Sequence, residues 1–187
     1  MTISPKYEST ALPWREVAPG VLIALPGTAT FEGVNLGGAL YKVELGLDMT
    51  PAGIRPVSVK VTAAIGGPPV TGTALRAVRV ADLARTAIIL GALRGRTTAT
   101  GKGATRTDIL SPLTDKDIEL IRLRGPVRES VEWAAYFYNL GQLAGLPPAR
   151  QVELSLGLPR STAAKWVKRA RDMGLIGPTG GSTDGER

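Results

Sequence analysis

Between Leu158 and Arg171 the chain carries five cations, Arg160, Lys165, Lys168, Arg169 and Arg171, and no acid. A basic surface attracts phosphate when its charges cluster, and these do. Wound as a helix from about Arg160 to Met173, the segment places Ala163, Trp166, Val167 and Ala170 at i, i+3, i+4 and i+7, a single apolar face. Ser161, Thr162, Lys165, Lys168, Arg169 and Asp172 fall on the other faces. An apolar seam that seats a helix, with short polar and cationic side chains pointing away from it, is the layout required to read DNA in the major groove. A solvated amphipathic helix is the plainer reading of such a run, and context favours DNA. Ala149–Leu156 predicts a preceding helix that buries Val152 and Leu156. Gly157 stands where the chain must reverse through positive φ, and Leu158 plugs the angle between the helices. Trp166 reads as core, in register with Ala163 and Ala170.

At these residues the sequence resembles helix-turn-helix DNA-binding regulators of the phage and actinobacterial type. The run that carries the resemblance is Gly157-Leu-Pro-Arg-Ser-Thr-Ala-Ala-Lys-Trp-Val-Lys-Arg-Ala-Arg-Asp-Met-Gly-Leu-Ile176, and the likeness extends over about residues 127–176. It implies a three-helix reader in which Arg160, Ser161, Thr162, Lys165, Lys168, Arg169 and Arg171 contact double-stranded DNA. Two positions depart from the pattern. Glu153 stands where an Ala is usual, which implies a wider helix crossing or a carboxylate bending towards Arg160 or Lys165. Pro159 stands where Ser or Thr usually caps the second helix, so helix initiation is shifted or weakened.

The rest of the composition removes most other chemistries. The 187 residues include 23 Lys and Arg against 16 Asp and Glu, a net charge of +7, with no His and no Cys. Zinc fingers, iron–sulfur and haem sites, thiol nucleophiles, disulfides and every Ser-His-acid triad are thereby excluded. Residues 94–187 hold 15 cations and 10 acids, against 8 and 6 in residues 1–93, so the positive excess is mostly C-terminal. The apolar runs 20–25 and 87–93 fall far short of the roughly 20 residues of a membrane span. The first fifteen residues lack the basic-then-apolar order of a signal peptide. A cytoplasmic protein with no membrane association is expected.

Two weaker motifs read as structure. Residues 94–106, rich in Gly, Thr and cations, suggest a phosphate-binding loop, but five residues separate Gly95 from Gly101 and Gly103 follows Lys102 where Ser or Thr is required. A flexible basic linker is expected there, with nonspecific DNA contact through Arg94, Arg96, Lys102 and Arg106 as the alternative. Asp115, Asp117 and Glu119 alternate along a predicted helix and so point in different directions, which does not suit a metal. No catalytic set, metal site or cofactor is indicated, and an enzyme is not expected.

The elements that must position the basic helix follow from hydrophobic periodicity. Leu40–Leu47 alternates, with Tyr41, Val43, Leu45 and Leu47 on one face. Val57–Ile65 does the same through Val57, Val59, Val61, Ala63 and Ile65, and Pro51, Gly53 and Pro56 between them predict an antiparallel pair. Val17–Leu25 and Ala29–Leu36 are weaker strands. Val80–Leu93 shifts to helical spacing, with Leu83, Ala87, Ile88 and Leu90 near one side. Thr114 with Asp117 marks a helix start, and Val127–Leu143 predicts a longer helix with the stripe Val127, Val131, Ala134, Ala135 and Tyr138. The expected architecture is α+β: a small antiparallel sheet with a packed helix over 1–93, a linker over 94–110, an all-α helix-turn-helix bundle over 111–177 and a disordered tail over 178–187. The expected function is sequence-specific regulation of transcription as a homodimer on duplex DNA. An architectural or assembly accessory of recombination or DNA packaging is the alternative.

Overall fold

The computed structural model describes residues 4–9, 14–99, 105–110 and 112–176. Its strands are β1 (Ser4–Glu8), β2 (Arg15–Ala18), β3 (Val21–Ile23), β4 (Gly27–Leu36), β5 (Ala39–Thr50), β6 (Gly53–Ala63), β7 (Ala92–Ala99) and β8 (Thr105–Leu110). Its helices are α1 (Gly72–Arg76), α2 (Val80–Gly91), α3 (Asp115–Arg124), α4 (Arg128–Leu143), α5 (Pro148–Leu156) and α6 (Arg160–Asp172). The architecture is α+β, with the longest strands early and the longest helices late. Two compact units share the chain. One comprises the described residues of Met1–Arg15 and Ile23–Ala92, the other those of Glu16–Leu22 and Leu93–Arg187.

The first unit is an antiparallel sheet in the order β1-β4-β5-β6, with α2 packed on it. The alternation in β5 works as expected: Tyr41, Val43, Leu45 and Leu47 are buried, and on the opposite face Glu44 pairs with Lys60 of β6 at 2.8 Å. The β5–β6 hairpin closes between Thr50 and Gly53, where Gly53 takes φ +93°, a conformation open to glycine. The expected apolar face of Val57–Ile65 is not buried as a row. Val57 and Val59 are 59% and 42% exposed, and Ile65 lies beyond the strand, fully exposed. Two causes are visible. The register slips opposite Gly46 and Leu47, which pair with Ser58 and Pro56 and leave Val57 as the extra residue of a bulge. β6 is also the last strand of its sheet.

Helix α2 ends at Gly91, two residues before the expected Leu93, because the chain becomes strand at Ala92. Its buried face is Ala84, Ala87, Ile88 and Gly91, whereas Leu90 is exposed. A short helix that the periodicity did not predict, α1, is capped by Thr71, whose hydroxyl accepts from the Ala74 N–H at 3.2 Å.

In the second unit β2, β3, β7 and β8 lie in that order in a sheet of their own. Two expectations are corrected here. The strands within Val17–Leu25 join this sheet rather than the N-terminal one. The segment expected as a flexible linker holds an antiparallel hairpin, paired from Arg94 opposite Leu110 to Ala99 opposite Thr105. Thr, a β-branched residue, favours extended backbone. The expected tail, 178–187, lies outside the described residues. Helix α3 opens with a capping box, in which the Thr114 hydroxyl accepts from the Asp117 N–H and the Asp117 carboxylate accepts from Thr114. The Thr114 hydroxyl and N–H hold the Asp117 carboxyl below the usual carboxylate range.

Tyr7 offers a direct test of packing in the first unit. Its hydroxyl donates to the Ala24 carbonyl at 2.7 Å, and burial pushes its pKa up to about 12. A methyl group on Gly91 would come within 2.7 Å of the Tyr7 ring. In an open helix, Gly→Ala stabilises by about 1 kcal/mol. Overpacking costs about 1–3 kcal/mol, so Gly91→Ala is expected to lower the melting temperature. A rise would show that the ring moves aside freely.

Candidate nucleic-acid interface

Three helices set the geometry of the basic segment. Helix α4 is the longest, and α5 and α6 both pack against it. Its buried residues include Val131, Ala134, Ala135, Tyr138 and Leu140, with Trp133 and Tyr136 beside them. Val127, expected in this stripe, is 44% exposed because it precedes the first turn as the N-cap.

Helix α5 buries Val152 and Leu156 and ends at Gly157, which takes φ +57° and ψ +34°. This left-handed residue reverses the chain in little space, and the Leu158 N–H donates to the Glu153 carbonyl at 3.0 Å. Leu158 is buried as the plug between the helices. Glu153 is buried too, yet its carboxylate pairs with Arg150 on its own helix. The reach towards Arg160 or Lys165 that the resemblance implied is not what the structure has, because Arg150 lies one turn away on the same face.

Helix α6 begins at Arg160, preceded by Pro159, which makes no side-chain cap bond. Ala163, Trp166, Val167 and Ala170 are all buried. Arg160, Ser161, Lys165, Lys168, Arg169 and Arg171 are exposed, and Thr162 is half-buried. All seven candidate residues thus lie on one helix, and its apolar seam faces inward. Arg169 and Arg171 also occupy the last turn, where cations suit the negative end of the helix dipole.

Sequence reasoning missed the polar contacts that tie this bundle to the sheet of the same unit. Arg94, on β7, is only 6% exposed. Its guanidinium lies 4.0 Å from the Trp133 ring centroid and donates to Glu132 at 3.0 Å. Glu132 also accepts from Arg128 at 3.2 Å. Arg94 is therefore committed to α4, which corrects its placement among nonspecific DNA contacts. Asn139, also buried, donates to the Pro19 carbonyl at 2.9 Å and to the Leu175 carbonyl at 3.3 Å. Beside the Arg94–Glu132 pair, burial raises the Tyr136 hydroxyl to about 12 against the opposing effect of Arg94, so it is neutral at physiological pH. These partners lie 36 to 120 residues apart, beyond any local periodicity. Among the described residues no group of three or more acidic side chains could hold a metal ion, Asp115, Asp117 and Glu119 included.

No known family model, no curated protein and no solved structure matches the chain.

The seam of α6 yields a stability prediction. Trp166 is 3% exposed, and emptying such a site costs about 3–5 kcal/mol. Trp166→Ala is expected to lower the denaturation midpoint of this unit accordingly. An unchanged midpoint would mean that the ring contributes nothing to the core.

Proposed function

We propose that the chain is a sequence-specific DNA-binding regulator of transcription, in which α5, Gly157 and α6 act as a helix-turn-helix supported by α4. The observation that carries this reading is the sidedness of α6: four buried apolar residues on one side, and five cations with Ser161 and Thr162 on the rest. A solvated helix needs neither a tight left-handed turn before it nor an acid-free outer surface over its first twelve residues. A helix seated in the major groove needs both, since its N-terminal turns approach base edges and its flanks meet phosphates.

Roles follow from position. Arg160, Ser161, Thr162 and Lys165 occupy the first turns and are assigned to base reading, Arg through bidentate contact with a guanine edge. Lys168, Arg169 and Arg171 are assigned to backbone phosphates. A single reader of this size buries little DNA surface, so the protein is proposed to act as a homodimer on paired half-sites. Among the described residues no helix is long and apolar enough to cross a membrane.

The assignment predicts an asymmetry. Arg160→Ala and Lys165→Ala should change which duplex is preferred, by about 1–3 kcal/mol for each lost base contact. Arg171→Ala should weaken all duplexes alike and lower the salt slope of binding by about one. Competition binding across duplexes at several salt concentrations measures both. Altered preference on Arg171→Ala with none on Arg160→Ala would reverse the proposed docking.

A further inference from the structure

Helices α3, α4 and α5 carry four arginines, Arg122, Arg124, Arg128 and Arg150. Three of them have a carboxylate partner: Arg124 pairs with Glu129 at 3.5 Å, Arg128 with Glu132 at 3.2 Å, and Arg150 with Glu153. The Arg122 side chain makes no ion pair or hydrogen bond among the described residues. Its place in the fold is specific all the same. With Ile121 buried, α3 packs on α4 and α5, and a neighbouring face of α3 lines a groove with Leu158 and Pro159. Arg122 is exposed, and a methyl group on Gly157 would lie 3.5 Å from its Nη1, so the guanidinium rests beside the turn that leads into α6. Pro159, on the far wall of the groove, immediately precedes Arg160, the first residue of α6. Helix α5 has no cation in its own last turn, so Arg122 suits the negative end of that helix. That attraction holds the guanidinium at the turn and leaves its N–H donors available.

We propose that Arg122 is a further DNA-contacting residue, supplied by α3, which meets a backbone phosphate flanking the bases that the first turns of α6 approach. This rests on the reading of α6 as a DNA-binding helix. A guanidinium suits phosphate because its planar fork of donors can hold two oxygens at once. Asp115 and Glu119 line the same groove towards the start of α3 and repel phosphate there, so the contact is confined to the end where Arg122 borders the turn. Phosphate contacts position a reader and base contacts specify. Arg122 stands beside the end of α6 to which base reading is assigned, so its contact would fix how deeply and at what angle that end enters the groove.

The test uses the full chain and a duplex of its preferred sequence, with binding measured from about 50 to 200 mM salt. One phosphate contact fewer should lower the slope of log K against log salt by about one, so over this range the parent should lose roughly three- to fourfold more affinity than Arg122→Ala. Arg122→Gln, which keeps part of the stem and loses the charge, should behave in the same way. Arg124→Ala removes the same charge from the same turn of α3 and should keep the parental slope, because Arg124 is committed to Glu129. Ethylation of single phosphates locates the contact: the parent should lose affinity at a phosphate to which both Arg122 variants are indifferent. If both variants keep the parental ethylation pattern, the Arg122 contact is refuted whatever their slopes, and the α6 reading stands. Equal slopes for Arg122→Ala and Arg124→Ala would also refute it, by reducing Arg122 to its share of the net charge. If the parent binds no duplex, the α6 reading fails and the Arg122 contact falls with it.

Discussion

The second unit depends on how α4 accommodates polar groups that the fold has buried. A guanidinium removed from water must be matched in charge and geometry, and Arg94 meets that demand with the Glu132 carboxylate on one side and the face of Trp133 on another. Removing Glu132 would take a carboxylate partner from a buried guanidinium, which is far worse than replacing the pair by apolar groups. Asn139 carries a similar obligation, with one amide group donating to the carbonyls of Pro19 and Leu175. Such contacts add little net stability. They do fix where a strand root, a turn and the segment after α6 must lie, because a shifted register would leave polar groups buried without partners.

The seam of α6 follows from the same frame. Ala163 and Ala170 are small and fully buried, which lets the helix approach its neighbours closely, while Trp166 and Val167 fill the space between. With that face committed, every long cationic side chain on α6 must point elsewhere. The basic surface is thus a consequence of packing as much as of charge content. Gly157 completes the constraint: a residue with a Cβ would be strained at its φ, and the turn would open.

Much of this was legible in the sequence, for reasons that are local. The 3.6-residue period predicts a helix from about Arg160 to Met173, one residue longer than the observed α6, and the buried set of α6 is the one the spacing predicts. β5 was equally plain because a half-buried strand must alternate. What the sequence did not disclose depends on distant partners. Val21, Leu22 and Ile23 form an unbroken apolar run, which says that they are buried but not in which sheet. β7 and β8 lack large apolar alternation, so Gly, Thr and Arg there read as a loop. In β6 a bulge and an edge position left Val57 and Val59 exposed despite a regular pattern. Arg94 looked like one more surface cation, because Glu132 and Trp133 are nearly forty positions away.

The role proposed for the outer face of α6 is to read a DNA sequence. Selection of bound duplexes from a random pool by the full chain tests it most directly. Enrichment of a short guanine-containing motif is expected, present in two copies at a fixed spacing, with affinity that falls steeply as salt rises. Recovery of the pool unchanged, or affinity indifferent to salt, would contradict it.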